Sequence, residues 1–513
     1  CGLILALGAY AAVDDTFTEN QITYKVTKEE SSDKEVTVIG VTVFSATVEI
    51  PATVTHIKYS PTITTTTYNV TAINQEAFKG NTYLETLKLN ANVKIGDSSF
   101  ENCTKLATIT NSEKITSIGN SAFAYCSALT SLTISGVITI GDHAFNKSGL
   151  TIITIPSDAS SLGAHAFDAC AALTTATINA RITAIPEGLF QNCTLLNTVN
   201  ITAPTSCTTI GNYAFSGCSA LNAFNLKQLE NLTSIGDNAF AGSGLQSIQF
   251  PVKVTATGFQ AFQNCKSLTT VTFGSGVKTI DAQSFYCCTA LKGEVSIPAG
   301  VTSIGGSAFQ GCTKLGDVTI PSSVTSVGER AFQGCTSIKK ASIFIDSSNS
   351  GQQDSRADAD ATATIGERAF VDCDALDDLV LGPNTASIGD YAFNTDKKYA
   401  LKNVYSYNPM PPTLGDDVFG GSVTNESVLH VPNGSETAYK NATGWNIFFN
   451  HVVGIDNIIV DDDNSNGLQG ISDADSARAA RYYDLCGKPV RDISAPGLYI
   501  RQCGGKASKV LVK

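Results

Sequence analysis

Apolar positions along the chain follow one form that is filled in again and again. In residues 115–135, ITSIGNSAFAYCSALTSLTIS, an Ile118-Gly119 pair comes shortly before Phe123. Cys126 and Leu129 follow three and six residues after it. That spacing predicts Phe123, Cys126 and Leu129 on one face of a short helical turn. Leu132, Thr133 and Ile134 then alternate in, out and in, which predicts a short strand. Aligned on the phenylalanine, the form recurs at Phe78, Phe100, Phe123, Phe145, Phe167, Phe190, Phe215, Phe240, Phe262, Phe285, Phe309, Phe332, Phe370, Phe393 and Phe419, mostly in steps of 22 to 25 residues. The longer step from Phe332 to Phe370 holds an insertion, DSSNSGQQDSRADADATA. A fixed period of this size predicts a solenoid, because one unit cannot bury its own apolar face and stacked neighbours can.

Each position in the form has an expected role. Gly stands four residues before the Phe in 12 of the 15 copies, which reads as a turn that needs positive φ. Asp or Asn often comes next (Asn120, Asp142, Asn212, Asp237, Asp390, Asp416), as at the start of a short helix. The structural ladder is expected to include Phe123, Cys126, Leu129, Phe145, Phe167, Cys170, Phe309, Cys312, Phe332 and Cys335. Outward strand positions form the candidate binding face: Ser131 and Thr133, Thr175 and Thr177, Thr198 and Asn200, Thr270 and Thr272, Asp317 and Thr319, Lys340 and Ser342. A solenoid sheet offers partners an extended surface. This one has few of the Trp, Tyr and Arg side chains that dominate protein hot spots, so many weak contacts and avidity are expected.

Composition narrows the chemistry. Of the 513 residues 42% are apolar and 16% charged, which suits a large core and not a disordered chain. The net charge of -12 argues against a nucleic-acid partner, since phosphate binders cluster Lys and Arg. His56, His143, His165, His430 and His451 are scattered, and no Ser/His/Asp set or phosphate-cradling Gly loop is recognisable. No enzyme, cofactor or metal site is therefore expected. Asp461, Asp463 and Ser465 space like the start of a calcium loop, but Gly467 falls one place late and no Glu ends the loop. A solvated linker is the competing reading.

Ten of the 15 cysteines stand three residues after the Phe: Cys103, Cys126, Cys170, Cys193, Cys218, Cys265, Cys288, Cys312, Cys335 and Cys373. Metal binding needs ligands that converge, and a column spreads them along a line. Disulfides between rungs about 4.8 Å apart need Cβ vectors that face each other, whereas a column sets them parallel. Packing as a small hydrophobe is the favoured reading. Ser148, Ser243 and Ser422 fill the same slot in other copies. Cys486 and Cys503 are candidates for a separate disulfide in an oxidising compartment.

The expected organisation has six parts. Residues 1–12 resemble the remnant of a secretory signal peptide, with Ala9-Tyr10-Ala11 as a small-x-small site, or alternatively a lipoprotein start with Cys1 acylated. Residues 13–70 alternate like strands and form a β-rich N-terminal cap. Residues 71–427 are the solenoid, and 428–456, with the sole Trp445, form a C-terminal cap. Residues 457–480 are an acidic linker and 481–513 a small β domain. No other apolar run approaches the ~20 residues of a membrane span.

The segment VTSIGGSAFQGCTKLGDVTIPSSVTSVGERAFQGC, residues 301–335, resembles the BspA-like leucine-rich repeats of bacterial surface proteins. The resemblance covers about residues 70–425. It implies an α/β repeat fold: a right-handed leucine-rich-repeat solenoid of about 15 repeats with a parallel β-sheet on one face. It further implies a secreted or outer-membrane surface adhesin that binds extracellular matrix proteins or other cells. A surface capture protein for glycans or peptides is the alternative. The C-terminal stretch resembles a type IX secretion sorting domain through Asp484-Leu485, Gly487-Lys488, Gly497-Leu498-Tyr499-Ile500-Arg501 and Lys509-Val510-Leu511-Val512-Lys513. That implies export machinery as a partner of residues 482–513.

Overall fold

The computed structural model describes residues 12–30, 32–59, 63–345, 362–395, 401–448 and 450–455, and the backbone of 481–483, 489–490, 497–503 and 506–512. The chain winds as a parallel β-solenoid of about 16 turns with little helix. The turns carry hydrogen-bonded faces of three kinds, not all present in every turn, where the sequence predicts a single sheet. The first holds the longer strands, running in parallel register from Val318–Ile320 through Lys340–Ile343, Asp378–Leu381, Asn403–Ser406 and Val428–Pro432 to Val452–Ile455. The second holds strands as short as two residues, such as Thr279–Ile280, Ser303–Ile304 and Ser326–Val327. Two residues are too few to show a period of two, which is why this ladder leaves no signal in the hydrophobic pattern.

The third face is the turn around each phenylalanine, and it corrects the expected helical turn. Its amides alternate between two duties. Ala124 and Cys126 donate locally to the carbonyls of Ser121 and Phe123, whereas Ser121, Phe123 and Tyr125 donate to Asp142, Ala144 and Asn146 of the next coil. Every second N–H is thus spent on the neighbouring coil, and no helix can form. The geometry requires left-handed residues, seen at Ser121 (φ 53°) and Tyr125 (φ 63°) and at the matching places of most coils. Each non-glycine residue there costs roughly 1–2 kcal/mol, offset by the inter-coil bonds.

The glycine before this turn also has a different job from the one expected. Gly119 is not left-handed. A Cβ on it would lie 2.7 Å from the Asp97 amide nitrogen, and one on Gly366 would lie 2.7 Å from that of Glu329. The glycines let stacked backbones approach. Gly258 (φ 84°) is an exception that also takes positive φ. The Asp and Asn residues that follow do not start helices. Asp97 Oδ1 accepts the Asn120 N–H (2.7 Å), Asn120 Oδ1 that of Asp142 (2.8 Å), and Asp142 Oδ1 that of Ala164 (2.8 Å), so each side chain braces the next coil.

Inside, the phenylalanines form one column. Ring centroids from Phe78 to Phe419 are 4.8 to 6.0 Å apart, including 4.8 Å from Phe332 to Phe370 across the insertion. At the last rung, Trp445 and Phe448 cover Phe419, and Trp445 Nε1 donates to the Pro412 carbonyl at 2.8 Å. The segment holding Trp445 also carries ladder strands, Val428–Pro432 and Val452–Ile455, so the solenoid runs on through residues read as a cap. At the other end, antiparallel strands Thr16–Glu19, Ile22–Glu29 and Lys34–Val41 extend the short-strand ladder through Thr64–Ile73. Thr47–Ile50, within the segment read as cap, is already a solenoid rung paired with Thr86–Leu89. The C-terminal strands Arg481–Tyr483, Pro489–Val490, Gly497–Cys503 and Lys506–Val512 form an antiparallel sheet. Asp461, Asp463, Ser465 and Cys486 lie outside the described residues.

Candidate binding surface

The column cysteines are free and buried. Each Sγ donates to the carbonyl of the preceding coil's phenylalanine: Cys126 to Phe100 at 3.1 Å, Cys170 to Phe145 at 3.0 Å, Cys312 to Phe285 at 3.2 Å, Cys335 to Phe309 at 3.1 Å. The other six do the same. At two serine slots the hydroxyl meets the next thiol: Ser148 Oγ lies 3.4 Å from Cys170 Sγ and Ser243 Oγ 3.3 Å from Cys265 Sγ, whereas Ser422 Oγ donates to the Phe419 carbonyl of its own coil. Burial pushes the Cys103 thiol up to about 12 and, with Ser243 opposing, that of Cys265 up to about 11. A thiol held in its protonated form is a poor nucleophile and metal ligand. Among the described residues no three His, Cys, Asp or Glu side chains converge as a metal site.

Polar chemistry is left to the outward rungs of the long-strand face. Thr175 stands between Ile152 and Thr198, and Thr177 between Thr154 and Asn200. Thr270 lies opposite Ser247, and Thr272 opposite Gln249. Thr319 faces Ser342, and Lys340 faces Asp378. These candidates therefore sit on three separate sheets. Ser131 and Thr133 are exposed but belong to none, because residues 130–134 form no strand. Their coil follows one that leaves its strand through Asn111 (φ 58°) and the 3-10 turn Ser112–Lys114. Parallel pairing needs extended residues on both partners, and there it lapses. Asp317 turns inward in function: its Oδ1 accepts the N–H groups of Lys339 (3.0 Å) and Lys340 (2.9 Å).

The chain matches the BspA type leucine rich repeat region over residues 21–130, 55–174, 130–232, 208–339 and 357–423, well over half of its length. It belongs to that family. A leucine-rich repeat protein from Bacteroides ovatus, solved by crystallography, is 25% identical, covers 81% of this chain and 99% of its own, and superposes with a TM-score of 0.57. A leucine rich cell surface protein from Faecalibacterium prausnitzii is 24% identical over 74% of this chain and 94% of its own, with a TM-score of 0.41. No curated protein matches.

On this BspA-type solenoid the open part of the face is narrower than the sequence suggests. Val380 and Tyr405 occupy outward rungs yet are 2% and 6% exposed. Tyr405 stacks on His430 at 4.3 Å, and burial lowers the His430 pKa. Of this patch only His430 falls within residues 428–456 read as a cap; Val380 and Tyr405 lie in the expected solenoid, where an apolar or aromatic residue takes the outward place. Near the middle, a groove of about 520 Å³ runs between Thr270 and Thr272 on one side and Lys292, Glu294 and Ser296 on the other. Residues 294–297 alternate exposed and buried like a strand but pair with neither neighbour. Phe273 is the large inner residue of one coil, tilted against Phe250 at 5.5 Å, while the next coil buries the smaller Val295 and Ile297. That change in core width accompanies the opening of the sheet.

Proposed function

We propose that the protein is a non-enzymatic interaction scaffold, secreted or held at the bacterial outer surface, that binds an extracellular protein or another cell through the long-strand face. The observation that carries this reading is the division of labour across the wall. Thiols and aromatic rings of the column are buried and engaged with each other. Thr175 and Thr177 stand on outward rungs, and Thr270 and Thr272 line an open groove. The family supports a scaffold, and the adhesive role and the partner rest on this proposal. Residues 482–513 are proposed to direct export as a type IX sorting domain.

The test is a solid-phase binding screen of the full chain against matrix proteins and polysaccharides. Saturable binding to a protein, weakened by Thr272→Arg, is the expected result. Binding to polysaccharide alone would favour glycan capture and reject the adhesin. For export, deletion of residues 482–513 should trap the chain in the periplasm, and unchanged surface display would reject the sorting role.

A further inference from the structure

The N-terminal strands cover only one of the two ladders. Thr16–Glu19, Ile22–Glu29 and Lys34–Val41 extend the short-strand sheet, but among the described residues no strand pairs with the outer side of Thr47–Ile50, the first strand of the long-strand sheet. Among the described residues that strand pairs with Thr86–Leu89 alone. Ala46 and Ile50 carbonyls accept the Thr86 and Asn90 N–H groups, each at 2.9 Å. In a parallel pair the backbone groups of alternate residues point to opposite sides. Thr47 and Glu49 therefore turn theirs to the outer edge, where the Thr47 N–H meets the exchangeable Ser45 hydroxyl at 3.3 Å. Pro51, which has no N–H, ends it.

We propose that this edge is a strand-addition site for an extended, basic segment of a partner protein. Three observations set the chemistry. First, a groove of about 360 Å³ runs beside the strand, lined by Glu19, Val43, Thr47 and Glu49 among others. Second, its end carries exposed apolar side chains: Val43, Phe44 and Tyr83 are 54%, 63% and 59% exposed, and the Phe44 and Tyr83 rings stack at 5.7 Å. Aromatic side chains of this kind anchor interfaces. Third, Glu19 and Glu49 flank the outer edge, while Lys88 faces Glu49 in register from the inner side. Glu19 is held by the Thr55 N–H (2.9 Å) and Glu49 by the Asn90 side-chain amide (2.8 Å), and neither carboxylate has a described cationic partner. An added strand bonds to the Thr47 and Glu49 backbone. It sets apolar residues against Phe44 and Tyr83, and Lys or Arg against Glu19 and Glu49. The site lies at the end of the solenoid and does not depend on the hydroxyl face.

The test uses the full chain and a labelled peptide of about ten residues alternating Val and Lys, read by fluorescence anisotropy. Two further peptides replace Lys by Glu, or N-methylate alternate backbone amides. Saturable binding of the first, with about tenfold or greater loss for both others and for Glu49→Lys, is expected. The intrinsic fluorescence of Trp445 checks that the variant folds. Equal binding of the N-methylated peptide would reduce the effect to charge alone and overturn strand addition. Absence of binding would overturn it as well. So would self-association of the chain that Glu49→Lys abolishes, since a second copy would then hold the edge.

Discussion

On the turn side of the solenoid, the phenylalanines stack without interruption from Phe78 to Phe419, even where the insertion separates Phe332 from Phe370. On the long-strand side, the same coils fall into separate sheets, broken near Ser131, near Phe224 and near Val295. The two sides wrap one core and see the same rise per coil. They differ in what joins neighbours. A turn-side rung combines a stacked ring, a thiol bonded to the previous phenylalanine's carbonyl and alternate backbone bonds. A strand-side rung has ladder bonds with only scattered further ties, such as Asp317 to the Lys339 and Lys340 N–H groups, and the ladder parts where neighbouring coils differ. The corner around Phe and Cys therefore sets the coil spacing, and the strands follow where they fit.

The largest effect should come from titrating the corner. Burial raises the column thiols, for example Cys218 and Cys312 up to about 12. An unfolded thiol titrates near 8.5. The folded form thus keeps protons that the unfolded chain releases, so stability is intact below about pH 8.5 and falls as pH rises toward the folded values. Each thiol contributes a slope of up to about 1.4 kcal/mol per pH unit, and ten thiols act together. The urea midpoint read from Trp445 fluorescence should fall steeply between pH 8.5 and 10. A flat midpoint would show that the corner does not hold the coils.

Next in size is a single rung. Phe285 lies between Phe262 and Phe309 at 5.4 and 5.3 Å. Phe285→Ala should cost about 3–5 kcal/mol, with faster hydrogen exchange in the adjoining coils first. Thr177→Ala on the strand side should stay within about 0.5 kcal/mol. Equal losses at both sites would erase the contrast between the two faces.

The sequence made the corner legible and the rest only in part. Phe, Cys and Leu recur in fixed places because each must fill one slot in a close-packed column. The left-handed positions were hidden, because Ser121, Tyr125, His143 and Arg330 occupy them and none of these residues announces positive φ. The glycine was found and its cause misread, since close approach and positive φ select the same residue. The breaks in the strand ladder accompany differences between neighbouring coils, such as Phe273 against Ile297, and a repeat aligned for likeness conceals such differences. The bare edge at Thr47–Ile50 was hidden by a strand-like pattern that the hairpins around it share.

The smallest change isolates the thiol itself. Cys312 Sγ donates to the Phe285 carbonyl at 3.2 Å, and that group is buried. Cys312→Val keeps an apolar side chain of similar size but removes the thiol donor; the Phe285 carbonyl keeps the Cys288 N–H at 3.2 Å, so the loss should be that of one hydrogen bond, about 0.5–1.5 kcal/mol. Cys312→Ser keeps a hydrogen-bond donor and the small size; Ser148 and Ser243, in the same slot of their own coils, lie against the next coil's thiol, as a serine here would lie against Cys335. It should cost less than the valine variant. If urea melts show valine better tolerated than serine, the slot selects for apolar volume alone, and the hydrogen bond to the preceding phenylalanine is a consequence of the corner and not a cause. The order serine above valine would instead make the thiol an active tie between coils, which is what lets the corner keep its register where the strands lose theirs.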